Sequence, residues 1–175
     1  GYRDDAVEKL GRHTPAGPLR GGKYSLFDAG TRVPFIVHWP GVVRPGVSDA
    51  IVCQMDLLAS FAALTGQPSP GAGADSLDLI DALTGKSPTG RDALVLEASG
   101  NTCLRTRDWC YIPPHNGPAL LKQVNIESGL LLAPQLYRVA DDAGQRANLA
   151  PARPETVSEL EGQYREAMGG FYTPP

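Results

Sequence analysis

No apolar stretch in these 175 residues approaches the roughly 20 needed to cross a bilayer, so no membrane span is expected. Basic runs and basic amphipathic helices are also missing. With 16 Lys and Arg against 19 Asp and Glu the formal net charge is -3, which argues against a nucleic-acid partner. Neither Gly-x4-Gly-Lys-Ser/Thr nor G-x-G-x-x-G occurs, which excludes the two common phosphate-cradling loops. Cysteine is scarce: Cys53, Cys103 and Cys110 form no C-x-x-C pair, and His13, His38 and His115 lie scattered before and after them. A structural zinc site is therefore not expected, and no metal ligand is assigned. Cys103 and Cys110 pair only if a hairpin sets them face to face; an odd count fits free buried thiols equally well. The chain opens Gly-Tyr-Arg-Asp-Asp, with neither an initiator methionine nor an apolar leader. That reads as a processed end or an excised piece, with targeting information expected upstream.

Turn formers, by contrast, are plentiful. The 20 glycines and 16 prolines make about a fifth of the chain, below the roughly 25–30% typical of disordered segments. The expectation is one folded, loop-rich domain, or one with an appended subdomain, large enough to bury a core.

The densest information lies between Leu19 and Trp39, LRGGKYSLFDAGTRVPFIVHW. Gly21 and Gly22 carry no Cβ, so the backbone can approach a ligand closely. Lys23 places a compact cation with three donors at the same point. Val33 to Trp39 has one ionisable side chain, His38, and reads as a strand covered on both faces. On these residues alone, a tight turn with a solvated lysine explains the pattern as well as an oxyanion site does.

Upstream, a short helix is expected around Ala6 to Leu10, then an irregular loop from His13 to Pro18. Downstream, Ile51 to Cys53 is apolar and β-branched, Asp56 reads as an N-cap, and Leu57 to Thr65 as a buried helix stopped by Gly66. Gln67 to Ala74 is a linker. Asp78 caps a short helix from Leu79 to Leu83 closed by Gly85, and Ala93 to Leu96 is strand-like. Thr102 to Arg105 and Trp109 to Ile112 form a hairpin ended by Pro113-Pro114. His115 to Pro134 is a long excursion whose apolar residues Leu130 to Leu132 should pack, and Gln135 to Val139 is a further strand. Pro154 opens a last helix in which Val157, Leu160, Tyr164 and Met168 recur on one face, with Gly169-Gly170 ending it. The tail should be a small antiparallel sheet covered by that helix.

Arg20-Gly21-Gly22-Lys23, then Asp28-Ala29-Gly30-Thr31-Arg32-Val33-Pro34, then Trp39-Pro40-Gly41 resemble in order the segment typical of the sulfatase family. His13, Pro15 and Gly17 extend the match upstream, and Met55-Asp56-Leu57-Leu58-Ala59-Ser60-Phe61 is similar to a family helix, with Ala59 where proline is common. Trp109-Cys110-Tyr111-Ile112 and Gln135-Leu136-Tyr137-Arg138-Val139 resemble the hairpin and strand of the sulfatase C-terminal subdomain. Asp142 to Leu149 departs by losing the proline and glutamate of that pattern, while Asn148 and Leu149 keep it aligned.

The resemblance implies the C-terminal part of an alkaline-phosphatase-like sulfatase fold, α/β merging into α+β. Residues 1–66 would end the catalytic α/β domain, 67–92 form a linker with a short helix, and 93–175 form a C-terminal α+β subdomain. It implies hydrolysis of aryl or carbohydrate sulfates in the periplasm or outside a bacterial cell, by a formylglycine beside a divalent metal, expected to be calcium. Both lie in an N-terminal part upstream of this chain, which would be its partner. Lys23 is the catalytic-site residue carried over, as a clamp on the sulfate, and His13 is carried over as substrate-binding with Lys23. A charge pair about 4 Å apart is worth about 4 kcal/mol at an effective dielectric of 20, less desolvation. Cys103-Leu104-Arg105-Thr106-Arg107 keeps the Cys and Arg of the nucleophile motif but has Arg105 at its Pro/Ala position, so it is read as coincidence. Two alternatives stand beside this: a non-catalytic module binding glycan or protein through Trp109, Tyr111 and the His115 loop, and a related phosphatase or phosphonate hydrolase. If the Val33 to Trp39 strand lacks neighbours, the chain is expected to dimerise or to hide that edge.

Overall fold

The computed structural model describes residues 14–68, 75–172 and 174–175. The helix expected at Ala6 to Leu10, His13, and most of the Gln67 to Ala74 linker lie outside them. The chain divides into two compact units, one made by the segment up to Val33 with Leu94–Pro175, the other by Pro34–Ala93.

In the first unit, strands β1 (Ala93–Ala98), β2 (Asn101–Thr106), β3 (Trp109–Ile112) and β6 (Gln135–Arg138) form a sheet in the order β1-β2-β3-β6. The first turn, Ser99-Gly100, has positive φ at both residues, the geometry that matches strand twist in a two-residue hairpin. In the second, the Thr106 hydroxyl accepts the Trp109 N–H at 3.1 Å. β2 and β3 run antiparallel with Leu104 opposite Tyr111 and Arg105 opposite Cys110. β3 and β6 continue the register, with Tyr111 opposite Leu136 and Cys110 opposite Tyr137. Because side chains alternate along a strand, Leu104, Tyr111 and Leu136 share one face, and Cys103, Cys110 and Tyr137 the other.

The first face receives helix α4 (Pro154–Met168), which packs on β2 and β3. Proline occupies its first turn, and Gly169 ends it in the left-handed conformation at φ 54°, as expected from the sequence. Leu160 and Tyr164 are buried. Tyr164 meets Tyr111 edge-on at 6.2 Å between centroids, and its hydroxyl bonds the Thr102 hydroxyl at 2.6 Å.

The second face is covered too, and not by a helix. Leu26 and Phe27 join Cys103, Cys110, Ile112, Leu130, Tyr137 and Val139 in the core, Phe27 meeting Tyr137 edge-on at 5.8 Å. The segment expected beside a central strand is thus the second lid of the C-terminal sheet. Of the His115 to Pro134 excursion, Leu130 packs in this core, whereas Leu131 and Leu132 stay exposed. The excursion also carries a small ribbon, β4 (Leu120–Leu121) against β5 (Ile126–Glu127).

Cys103 and Cys110 are free and fully buried. The register explains why they do not face each other: Cys110 lies opposite Arg105, leaving Cys103 two positions further along β2, beyond the Leu104–Tyr111 pair.

From Val33 to Leu64 three expectations are corrected. Val33 to Trp39 forms no strand and is exposed, Ile36 most of all. A strand needs partners for its N–H and C=O groups, and among the described residues none pairs with 33–38. Helix α2 runs Asp56–Leu64 and leaves Leu58, Phe61 and Leu64 exposed, burying only Asp56, Ala59 and Ser60. Asp56 is not its N-cap either; Met55 holds that position. The Asp56 carboxylate instead accepts two bonds from Arg91 Nε at 2.9 and 3.0 Å and one from Nη2 at 2.5 Å. It also takes the N–H groups of Cys53 (2.9 Å) and Leu77 (3.1 Å), tying three stretches together. Helix α3 (Ile80–Leu83) starts one residue later than expected, with Leu79 rather than Asp78 at its N-cap, although Asp78 accepts the Ile80 N–H at 3.1 Å.

Candidate functional site

Lys23 stands at the apex of a tight turn. Ser25 N–H donates to Gly22 C=O at 2.9 Å, so Lys23 and Tyr24 are the central residues. Tyr24 has φ 79°, the third position of a type II turn, where glycine is normally required. A tyrosine there is strained by order 1–3 kcal/mol and persists only when its surroundings over-determine the backbone. The glycines on either side are forced by packing. A Cβ on Gly21 would fall 2.3 Å from Ser25 Oγ, and one on Gly30 would fall 1.9 Å from the Ser25 carbonyl oxygen. Lys23 itself is exposed, its Nζ 5.2 Å from the Tyr24 ring centroid.

The surroundings come from the far half of the chain. Arg20 grips Glu127 with both prongs, Nε to Oε2 at 2.8 Å and Nη2 to Oε1 at 2.5 Å, and its Nη1 donates to the Gln145 carbonyl at 2.7 Å. Its guanidinium lies 4.0 Å from the Phe27 ring centroid. That pairing raises the Arg20 pKa and lowers that of Glu127, chiefly through their hydrogen bonds. Ser25 Oγ donates to the Glu127 carbonyl at 2.6 Å, and Leu26 N–H to that of Ser128 at 2.9 Å. On the other side Asp28 is buried at the start of a single helical turn, α1 (Asp28–Thr31). Its N–H donates to Gln145 Oε1 at 2.7 Å, and its carboxylate faces Arg105 at 3.4 Å and Arg32 at 3.9 Å. Gln145, wholly buried at φ 47°, has its Nε2 unpaired.

Other sequence-derived candidates separate from this cluster. Tyr111 and His115 are buried; His115 Nε2 bonds the Thr102 carbonyl at 2.8 Å and its ring meets Tyr172. Of the surface proposed for the module reading, Tyr111 and His115 are therefore core packing, whereas Trp109 is half-buried and 116–120 of the loop are exposed. Cys103 is closed to solvent, its thiol 3.6 Å from the Leu26 carbonyl. Contact with Cys110 and burial push that thiol well up, the reverse of an activated nucleophile. Among the described residues no group of three or more His, Cys, Asp and Glu side chains could hold a metal. Asp28 and Glu127 are already committed to arginines, so this donor set does not fit a divalent cation.

Sequence reasoning singled out Lys23 but not Glu127, Gln145 and Arg105, which hold its turn. The one hint was local: Gln145 lies where residues 142–149 depart from the family pattern.

The geometry defines an exposed lysine on a strained turn that lies on a two-faced α+β unit. A family model described as Sulfatase matches residues 5–67. The N-acetylgalactosamine-6-O-sulfatase of Bacteroides thetaiotaomicron is 43% identical over 162 residues, covering 91% of this chain and 32% of that protein. Human arylsulfatase A is 29% identical over 170 residues, covering 87% and 34%. A solved structure from Bacteroides thetaiotaomicron, described under the metabolism of multiple glycosaminoglycans, superposes with a TM-score of 0.88 at 40% identity, covering 95% of this chain and 35% of that one. The chain belongs to the sulfatase family, and its small antiparallel sheet with a C-terminal helix is the fold of the sulfatase C-terminal region. It spans about a third of the length of the relatives it matches.

Proposed function

We propose that this chain is the part of a sulfate-ester hydrolase that presents Lys23 to the sulfuryl group of a sulfated glycan. The observation that carries the reading is the Arg20 to Gly30 turn: a cation exposed at its apex, on a backbone held rigid from both sides. A fixed ammonium needs no reorganisation as negative charge grows on the sulfuryl oxygens, which is the condition for electrostatic catalysis. Lys23 binds and orients the ester by its non-bridging oxygens and transfers no proton. The formylglycine and the divalent cation, expected to be calcium, would be held by the N-terminal part of the same protein and supply the nucleophile and the Lewis acid. Residues 1–66 would complete that catalytic domain and 93–175 form its C-terminal subdomain, joined through 67–92, with Leu26 and Phe27 packed on the subdomain's sheet. His13, ten positions before Lys23 in the sequence, would add a substrate contact.

A carbohydrate substrate is favoured over a simple aryl sulfate because the relative at 43% identity is named for a sulfated sugar. Such polymers are met in the periplasm or outside the bacterial cell. The test uses the complete protein and paired aryl sulfate and aryl phosphate esters, with a sulfated N-acetylhexosamine as the sugar arm. Lys23→Ala should lower kcat/KM for sulfate esters about 100-fold or more, the loss typical of one removed oxyanion donor. Wild-type kinetics in that variant removes Lys23 from the site, and preference for the phosphate ester turns the reading to a phosphatase.

A further inference from the structure

The turn that carries Lys23 is gripped on both sides by two residues from the other end of the chain. Before Lys23, Arg20 is held by the Glu127 carboxylate and the Gln145 carbonyl. After it, Ser25 is held by the Glu127 carbonyl at 2.6 Å, and Asp28 by Gln145 Oε1 at 2.7 Å. Glu127 and Gln145 thus each bond the chain on both sides of the apex, one through its side-chain and main-chain oxygens in turn, the other likewise. Between the gripped points lie Gly21, which a Cβ would drive into Ser25, and Gly22, whose Cβ would meet Ile126 Cδ1 at 3.0 Å. The segment has little room to slide.

These grips are held against local cost. Gln145 adopts a left-handed backbone, is wholly buried and leaves an amide nitrogen unpaired, where an apolar side chain would leave no orphan donor. Tyr24 is held at φ 79° beside the lysine. Backbone strain and an unsatisfied polar group concentrated around one exposed lysine are what a positioned group requires; a lysine serving only solubility needs neither.

We propose that Glu127 and Gln145 are positioning residues for Lys23: they touch no substrate, and they fix where the lysine's Cα stands relative to the sulfuryl group. This rests on Lys23 being the sulfate contact, and the experiment separates the two ideas. In the complete protein, kcat and KM for an aryl sulfate are measured for Lys23→Ala, Glu127→Gln, Gln145→Ala and the Lys23→Ala/Glu127→Gln double variant, with melting temperatures alongside. Glu127→Gln keeps the shape but removes the charge of the two-pronged bond. It should lower kcat at least tenfold with KM changed less than threefold, and Glu127→Asp should recover part of the loss. The double variant should be no slower than Lys23→Ala alone, because residues acting as one unit are not additive. If Glu127→Gln multiplies the loss of Lys23→Ala by its own full factor, or turns over like wild type, the positioning role is overturned while Lys23 keeps its own. If Lys23→Ala is itself wild type, both fall together. Should Glu127→Gln fail to fold, Arg20→Lys, which keeps the positive charge and loses the fork, makes the same comparison.

Discussion

At Gly30 the fit is the tightest of any glycine described: a methyl group there would sit 1.9 Å from the Ser25 carbonyl oxygen. Only a backbone shift relieves such an overlap, so Gly30→Ala should destabilise by about 1–3 kcal/mol, read from urea unfolding. Activity should fall further than that figure alone implies, since the shift moves the lysine turn. Glu127 adds a pH dependence. Its hydrogen bonds with Arg20 hold its pKa below the usual carboxylate value, so its contribution is present above that value and lost as pH falls through the lower, folded one. Because the side chain is half exposed, solvent screening keeps this small. The expected result is a modest drop in stability as pH falls below about 4.3, which Glu127→Gln abolishes. Lys23 was legible because R-G-G-K is a local pattern. Glu127 and Gln145 were not, for they meet Arg20 across 107 and 125 positions, and no local pattern encodes such a meeting.

Secondary-structure elements sort by where their stabilising partners lie. The β2–β3 hairpin, β6 and α4 were readable because each carries its own signal: alternation, a turn, a capping glycine. Gly162 on α4 shows how local those signals are. It is exposed with nothing within 4 Å of an added Cβ, so Gly162→Ala should stabilise by about 1 kcal/mol through helix propensity alone, visible as a raised melting temperature. Val33 to Trp39 and α2 were misread because apolar composition says that a segment will be covered and not by what. Asp56 was misread for the opposite reason: an Asp before an apolar run has the signature of a cap, and its Arg91 partner is 35 positions away. Burial opposes ionisation of Asp56, but the bonds from Arg91, Leu77 and Cys53 outweigh it and hold the carboxyl below its ordinary range. Its stabilisation is therefore full at neutral pH and is lost as pH falls below about 4. Asp56→Ala, which strands the part-buried Arg91, should cost about 3–5 kcal/mol at pH 7, with a smaller difference at pH 3.

For the molecule as a whole, Pro34–Ala93 stands out by what it leaves uncovered. Ile36, Val47, Leu58 and Phe61 are all more than half exposed, although single exposed apolar residues are commonplace. All four fall in one unit of 60 residues, where so much exposed apolar surface is an association hazard. The isolated chain should therefore self-associate at micromolar concentration, and Ile36→Lys with Phe61→Lys should shift light scattering toward monomer. A clean monomer before substitution would count against that expectation.

The two thiols sealed between the sheet and the Leu26-Phe27 lid give the protein a built-in clock. Cys103 and Cys110 cannot meet an alkylating reagent until the sheet opens, whereas Cys53 in the other unit is only half-buried. Pulse labelling followed by peptide mass analysis would thus time the opening of the sheet, with Cys53 as the accessible reference and without any introduced probe.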